Sequence, residues 1–125
     1  MNNRHAGLKG EDDALKYLLG KGYKLVTRNY KGRHGEIDLI MLDGDTIVFI
    51  EVKARDRVSY GTPEEAVTPE KMRFIINTAI EFVKSKRYYD YNMRFDVVTI
   101  LRDEVTHYVN AFDLNSASYP MKYRM

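Results

Sequence analysis

The sequence predicts one α/β domain in which a mixed central sheet of about five strands is flanked by helices, in the order αβββαββ. Two amphipathic helical segments, a tight turn between two apolar strands, and two further strands after the second helix predict this class. A strand, a crossing helix and another strand give a parallel pair beside the antiparallel hairpin, so the sheet should be mixed. We place the domain at residues 1–112 and expect a flexible C-terminal tail at 113–125.

The first helix is predicted from about Leu8 to Leu19, because leucines recur there at helical spacing and form one stripe. Two glycines follow and are typical of a helix end. The segment "YKLVTRNY" then predicts a short strand, with Leu25 among its inward side chains.

A hairpin is predicted next, because "EIDLIML" and "TIVFIEVKA" are rich in apolar, β-prone residues and flank the turn signal "DGD". The two-residue loop is either Asp43-Gly44 or Gly44-Asp45. In the second case Asp38 lies opposite Glu51, and Glu36 opposite Lys53.

The hairpin has one apolar face and one face that is charged at its far end. The charged side carries Glu36, Asp38, Glu51 and Lys53. The apolar face is expected to carry Ile37, Leu39, Met41, Val48, Ile50 and Val52. Charges inside buried strands are costly, so four charged residues at this corner, the charged end of the hairpin, require a chemical explanation.

The second helix is predicted over residues 62–86, with start signals at both Thr62 and Thr68. Strands 94–101 and 105–112 complete the sheet. Asp96 lies inside the first of them, and we expect Arg94 or a backbone donor to satisfy its carboxylate.

Composition excludes several classes of protein. The net charge of +2 is too mild to indicate nucleic-acid binding by itself, and the absence of cysteine excludes disulfides and thiolate metal sites. No apolar run approaches the roughly 18 residues that span a bilayer. We therefore expect a cytoplasmic protein that does not enter a membrane.

Opposed carboxylates on one sheet face repel each other unless a cation lies nearby. Either a divalent cation or the Lys53 ammonium could provide that charge. Mg²⁺ (or Mn²⁺) suits Asp38 and Glu51, since it prefers oxygen ligands and takes few carboxylates. Lys53 would then orient a water or stabilise charge on phosphorus. The alternative without a metal is a purely structural salt bridge between Lys53 and these acids at a sheet end.

An acid followed by "EVK" on the next strand resembles the PD-(D/E)xK nucleases, with Asp38, Glu51 and Lys53 as the catalytic set and Ile37 in place of the motif's proline. The predicted element order likewise resembles the restriction-endonuclease-like core. The segments "GEDDALKYLLGKGY", "RNY", "GEIDLI", "VFIEVKAR" and "RFDVV" are similar to the YraN family of small bacterial proteins.

The wider group includes archaeal Holliday-junction resolvases, which are Mg²⁺-dependent homodimers. In these an N-terminal helix adds an acid to the metal site, and the matching residue here is Glu11. The resemblance thus implies metal ligation by Glu11, Asp38 and Glu51, and leaves a homodimer open. Glu11 also falls on the leucine stripe of the first helix, although a helix dipole would equally favour an acid there.

The resemblance implies a metal-dependent endonuclease that hydrolyses phosphodiesters in DNA, with branched DNA among its candidate substrates. The basic residues Arg28, Arg33, Arg55 and Lys71 would hold backbone phosphates. The alternative is a nucleic-acid-binding module that keeps the nuclease fold without turnover.

Overall fold

The computed structural model of the chain describes residues 3–55 and 67–114. The elements are α1 (Asn3–Gly20), β1 (Lys24–Gly32), β2 (Gly35–Asp43), β3 (Thr46–Arg55), α2 (Pro69–Lys86), β4 (Asn92–Leu101) and β5 (Glu104–Phe112). The predicted order αβββαββ is confirmed. Neither of these helices combines the length and the apolar character that a membrane span requires.

The five strands form one sheet in the order β1-β2-β3-β4-β5. Neighbours are antiparallel except β3 and β4, which run parallel on either side of the α2 crossover. Asp43 pairs with Thr46, so the loop between β2 and β3 is Gly44-Asp45, one of the two loops predicted. Pairing continues in this register to Leu39 and Ile50, which brings Asp38 and Glu51 to the next positions.

A hydrophobic cluster fills each face of the sheet. Strand side chains alternate between the faces, so β3 contributes Ile47 and Phe49 to the α2 side and Val48 and Ile50 to the α1 side. Full burial of such a side chain contributes about 1.5–3 kcal/mol, so the two clusters hold both helices against the sheet.

Three apolar side chains, those of Ile37, Leu19 and Leu25, do not lie on the sides that the sequence pattern predicts. Ile37 packs in the cluster under α2 instead of beside Leu39 and Met41. Its strand partner Tyr30 also packs there, directly after Asn29, whose left-handed backbone (φ 54°) interrupts the alternation.

Leu19 and Leu25 were expected to face inward, but both are exposed. The register of β1 against β2 shifts between Leu25 and Thr27, so an extra residue turns the start of the strand over. Leu19 lies one position beyond the fully buried Leu18, at the end of α1 and off its inward stripe.

The first residues of the two helices differ from the predicted ones or decide between them. α1 begins at Asn3, five residues before the predicted start. α2 begins after Thr68, the second of the two start signals, whereas Thr62 lies outside the described residues. Of the predicted tail at 113–125, residues 115–125 lie outside them as well.

Candidate functional site

The acidic corner of the sheet lies where β2 and β3 separate. Beyond the pair Leu39–Ile50, the Asp38 carboxylate takes over as acceptor: Val52 N donates to Asp38 Oδ2 over 2.8 Å. A backbone donor of β3 therefore bonds a side chain of β2 instead of its backbone. This contact fixes the Asp38 carboxylate between the diverging strands. Its donor, Val52, directly follows Glu51 in β3.

Asp38 is held in an environment that disfavours its charge. Burial and the neighbouring Glu51 carboxylate raise the pKa of Asp38 to about 7, against the lowering effect of the Val52 hydrogen bond. The charges of Glu11 and Lys71 act on the same pKa, in opposite directions. Four groups from α1, β2, β3 and α2 thus meet electrostatically in one corner.

Glu51 is only 5% exposed and faces two ammonium groups. Its Oε2 lies 3.4 Å from Lys53 Nζ on its own strand and 3.9 Å from Lys71 Nζ on α2. Buried carboxylates require a nearby positive charge, and these two lysines provide it in the protein alone. The structural salt bridge considered from the sequence is therefore present, and Lys71 takes part in it.

Lys71 reaches the corner because Thr68 begins α2. Thr68 has extended backbone angles, and its Oγ1 accepts a hydrogen bond from Lys71 N at 3.1 Å, with Pro69 as the first helical residue. A lysine in the first turn opposes the helix dipole. Its ion pair with Glu51 offsets that penalty.

Glu11 comes to the corner because α1 approaches β3 closely. A Cβ on Gly10 would lie 2.8 Å from the Cβ of Ala54, so only glycine allows this contact without a shift of the backbone. The next side chain, Glu11, is 14% exposed. It accepts hydrogen bonds from Asn29 Nδ2 at 2.9 Å (Oε1) and 3.0 Å (Oε2).

The predicted phosphate-binding residues lie in different settings. Arg28 Nη2 lies 2.8 Å from Asp12 Oδ1 and 3.6 Å from Glu11 Oε1, so this guanidinium faces the acids of α1. Arg33 is exposed at the β1–β2 turn and lines an open cavity of about 550 Å³ together with Lys84 of α2. The side chain of Arg55 lies outside the described residues.

The oxygen ligands chosen from the sequence are a suitable set for a hard cation, because carboxylates that repel each other are stabilised by one. In the described part of the chain, no three His, Asp or Glu side chains are close enough to share an ion as they stand. Glu36, expected opposite Lys53, instead accepts a 3.4 Å hydrogen bond from Asn29 Nδ2.

Asn29 is the residue of this corner that sequence reasoning missed. It bridges Glu11 and Glu36 from β1. Its identity offers one signal, since asparagine is among the few residues that tolerate a left-handed backbone inside an extended segment.

Comparison with known proteins places the chain in a family. The model of the family described as "Uncharacterised protein family UPF0102" matches residues 10–100. The chain belongs to the UPF0102 family. This is the YraN family that its motifs resemble, so that prediction is confirmed.

Relatives align along most of their length. A UPF0102 protein of Syntrophomonas wolfei is 45% identical over 114 residues, covering 88% of this chain and 99% of the relative. One from Persephonella marina is 40% identical, covering 87% and 94%, and one from Geobacter sulfurreducens is 42% identical, covering 90% and 92%. The similarity thus extends over most of this chain and most of each relative.

Proposed function

We propose that this UPF0102 protein is a metal-dependent nuclease that hydrolyses phosphodiesters in DNA, with branched or structured DNA as its expected substrate class. The observation that carries the proposal is the proximity of two carboxylates, the half-buried Asp38 and the buried Glu51, with the Lys53 ammonium beside Glu51. Neighbouring carboxylates destabilise the folded protein when both are ionised. Clusters of this kind are typical of functional sites.

Under this proposal Asp38 and Glu51 hold a Mg²⁺ or Mn²⁺ ion, and Glu11 joins them from α1. The bound ion would polarise a phosphoryl oxygen and acidify a water molecule. The Val52 N–H orients the Asp38 carboxylate toward this position. Lys53 and Lys71, released from Glu51, would face the attacking water and the negative charge on phosphorus.

The surrounding cations would supply affinity for the substrate. Arg33 and Lys84 line an open cavity next to the β1–β2 turn together with Glu81, whose Oε2 lies 3.7 Å from Arg33 Nε. Guanidinium and ammonium groups of this kind bind backbone phosphates without reading the sequence. Arg28 and Arg55 stay predicted phosphate contacts. A homodimer and a cytoplasmic location likewise stay predictions.

The test is cleavage of labelled duplex, flap and four-way-junction DNA by purified protein with Mg²⁺ or Mn²⁺. Asp38→Asn and Lys53→Ala should each reduce the rate at least ~100-fold, because each removes a group of the corner. Asp45→Asn is the matched control, since Asp45 is an exposed acid in the turn at the opposite end of the hairpin. Equal cleavage by all three variants would assign the activity to a contaminating nuclease.

A second function is favoured by the lysines that already neutralise Glu51. A site in which Glu51 already forms ion pairs with Lys53 and Lys71 suits a nucleic-acid-binding module that keeps the nuclease fold without turnover. This alternative predicts salt-dependent DNA binding that Asp38→Asn leaves intact, no calorimetric signal for Mn²⁺, and no cleavage of any substrate. Mn²⁺ binding that requires Asp38 would exclude it.

A further inference from the structure

Asn29 adopts a backbone conformation that most residues avoid. Its φ of 54° lies in the left-handed region although it is within β1 (Lys24–Gly32). Asparagine and glycine tolerate this region best, and such residues cluster at functional sites. The conformation aims the Asn29 side chain at α1 and at the start of β2, where Glu11 and Glu36 lie.

The Asn29 amide joins two acids. Nδ2 donates to both carboxylate oxygens of Glu11, at 2.9 and 3.0 Å, and lies 3.4 Å from Glu36 Oε2. An amide nitrogen carries two hydrogens, so a single group can serve both carboxylates. Its attachment to β1 orients them relative to the sheet.

The neutrality of this donor distinguishes Glu11 from Glu51. Glu51 faces ammonium groups, which cancel its charge. Glu11 receives its two close hydrogen bonds from an uncharged amide; its ion pair with Arg28 Nη2 is longer, at 3.6 Å, and that nitrogen lies nearer to Asp12, at 2.8 Å. An amide fixes the direction of a carboxylate and leaves its negative charge available to a cation.

We infer that Asn29 is a positioning residue that holds Glu11, with Glu36 beside it, toward the cation of the acidic corner. The inference rests on the proposed function. Groups that orient metal ligands in this way affect metal affinity or activity by about 10–100-fold.

Asn29→Gly tests this, because glycine accepts the left-handed backbone and removes only the amide. In calorimetric titrations of the full-length variant, Mn²⁺ should bind about 10–100-fold more weakly than to the wild type. In cleavage assays kcat should fall at saturating Mn²⁺ while KM for DNA stays unchanged. Urea unfolding should show little change, which separates positioning from a general loss of structure.

Asn110→Gly is the matched control. Asn110 is also left-handed (φ 57°), but it lies in β5, and its backbone N–H bonds Asp96 away from the corner. This variant should bind Mn²⁺ like the wild type. Asn29→Asp is the complementary variant, since it keeps the size and backbone preference but places a third acid against two others. It should weaken Mn²⁺ binding if the amide donor matters.

The outcomes separate this inference from the proposed function. If the wild type binds Mn²⁺ and Asn29→Gly binds it equally well, the inference is wrong and the proposed function stands. If the wild type neither binds Mn²⁺ nor cleaves DNA, the proposed function is wrong and the inference falls with it. Weaker binding by Asn29→Gly than by Asn110→Gly supports the inference.

Discussion

Two aspartates lie within strands of the same sheet, and their surroundings are opposite. Asp96 in β4 has no exposed surface, yet it accepts bonds from Arg94 Nε (3.0 Å) and Nη2 (3.1 Å), His107 Nε2 (2.7 Å) and Asn110 N (2.9 Å). Burial raises its pKa, but these bonds outweigh burial and hold the pKa below the usual value. Asp38 in β2 has the Val52 N–H as its donor and a carboxylate as its neighbour, and its pKa rises to about 7.

The Asp96 network ties distant parts of the fold together. Arg94 also contacts Asp43 Oδ2 at 3.0 Å and the Tyr23 hydroxyl at 2.7 Å. Lys21 Nζ lies 2.9 Å from His107 Nδ1. Because an ammonium only donates and an ionised carboxylate only accepts, His107 carries its hydrogen on Nε2 and points it at Asp96.

The contrast lies in how the charge of each carboxylate is satisfied. The donors around Asp96 satisfy the charge completely, so this network stabilises the fold. Asp38 has the Val52 N–H as its donor and a carboxylate as its neighbour, so its charged form is disfavoured within the protein, and a bound cation would stabilise that form. The two residues differ in the donors around each carboxylate as well as in burial, which is complete at Asp96 and partial at Asp38.

Removing the hydrogen bonds of Asp96 should change the free energy of unfolding most. Asp96→Ala leaves the Arg94 guanidinium and His107 without their buried partner, and should lower the free energy of unfolding by about 3–5 kcal/mol. Urea denaturation with Asp45→Asn as the exposed control measures this. A loss under about 1 kcal/mol would mean that the Asp96 network does not stabilise the fold.

Removing the charge of Asp38 should have the opposite sign. Asp38→Asn keeps an acceptor for the Val52 N–H, and without divalent cations at pH 8 it should raise the free energy of unfolding on the order of 3 kcal/mol. The folded pKa of Asp38 is above its unfolded value, so the contribution of Asp38 to stability is most favourable at low pH and falls as pH rises from about 4 through about 7.

Urea denaturation of both proteins across this pH range checks the sign. The two stability curves should converge near pH 4 and separate toward pH 8, and added Mg²⁺ should narrow the gap by stabilising the wild type. Parallel curves would show that Asp38 keeps an ordinary pKa in the folded protein. The contrast with Asp96 would then disappear.

The third prediction concerns how Glu11 reaches the corner. Gly10→Ala places a methyl group against Ala54 and should lower the free energy of unfolding by about 1–2 kcal/mol, since overpacking exceeds the gain in helix propensity. Gly20→Ala is the control: no atom lies within 4 Å of its added Cβ, and it should be neutral or slightly stabilising. Equal stabilities of the two variants would show that α1 can move without cost.

The sequence was sufficient to predict the hairpin and its charged end. A two-residue side-chain period and a short loop allow only a few registers, and one of the two predicted loops puts Asp38 opposite Glu51. That loop forms, but the strand pairing ends at Leu39 and Ile50, and the Asp38 carboxylate accepts a bond from Val52 N. The partners of Asp96 were only half predictable. Arg94 is two residues away on the same strand, but His107 becomes its partner through the pairing of β4 with β5 and the irregularity between Phe95 and Val97.

Asn29 and Ile37 could not be placed because a single left-handed residue leaves no periodic signal. The hydrophobic pattern of β2 is regular, and a regular strand would put Ile37 on the face of Leu39. The backbone irregularity beside it lies in the neighbouring strand, at Asn29, where the residue pattern of β2 carries no information about it. Irregularities that depend on a contact between segments are where pattern-based prediction stops.

The smallest predicted effect tests how Lys71 is held against Glu51. Thr68→Ala removes the acceptor for Lys71 N and should lower the free energy of unfolding by about 1 kcal/mol, whereas Thr68→Ser keeps the hydroxyl and should cost less than half as much. Because the cap fixes the first turn of α2, its loss should also loosen Lys71 from Glu51. The pKa of Asp38, followed by NMR of its carboxyl carbon, should then rise in Thr68→Ala, since Lys71 lowers it in the wild type. An unchanged pKa would show that Lys71 is held at the corner by its ion pair and not by the helix cap.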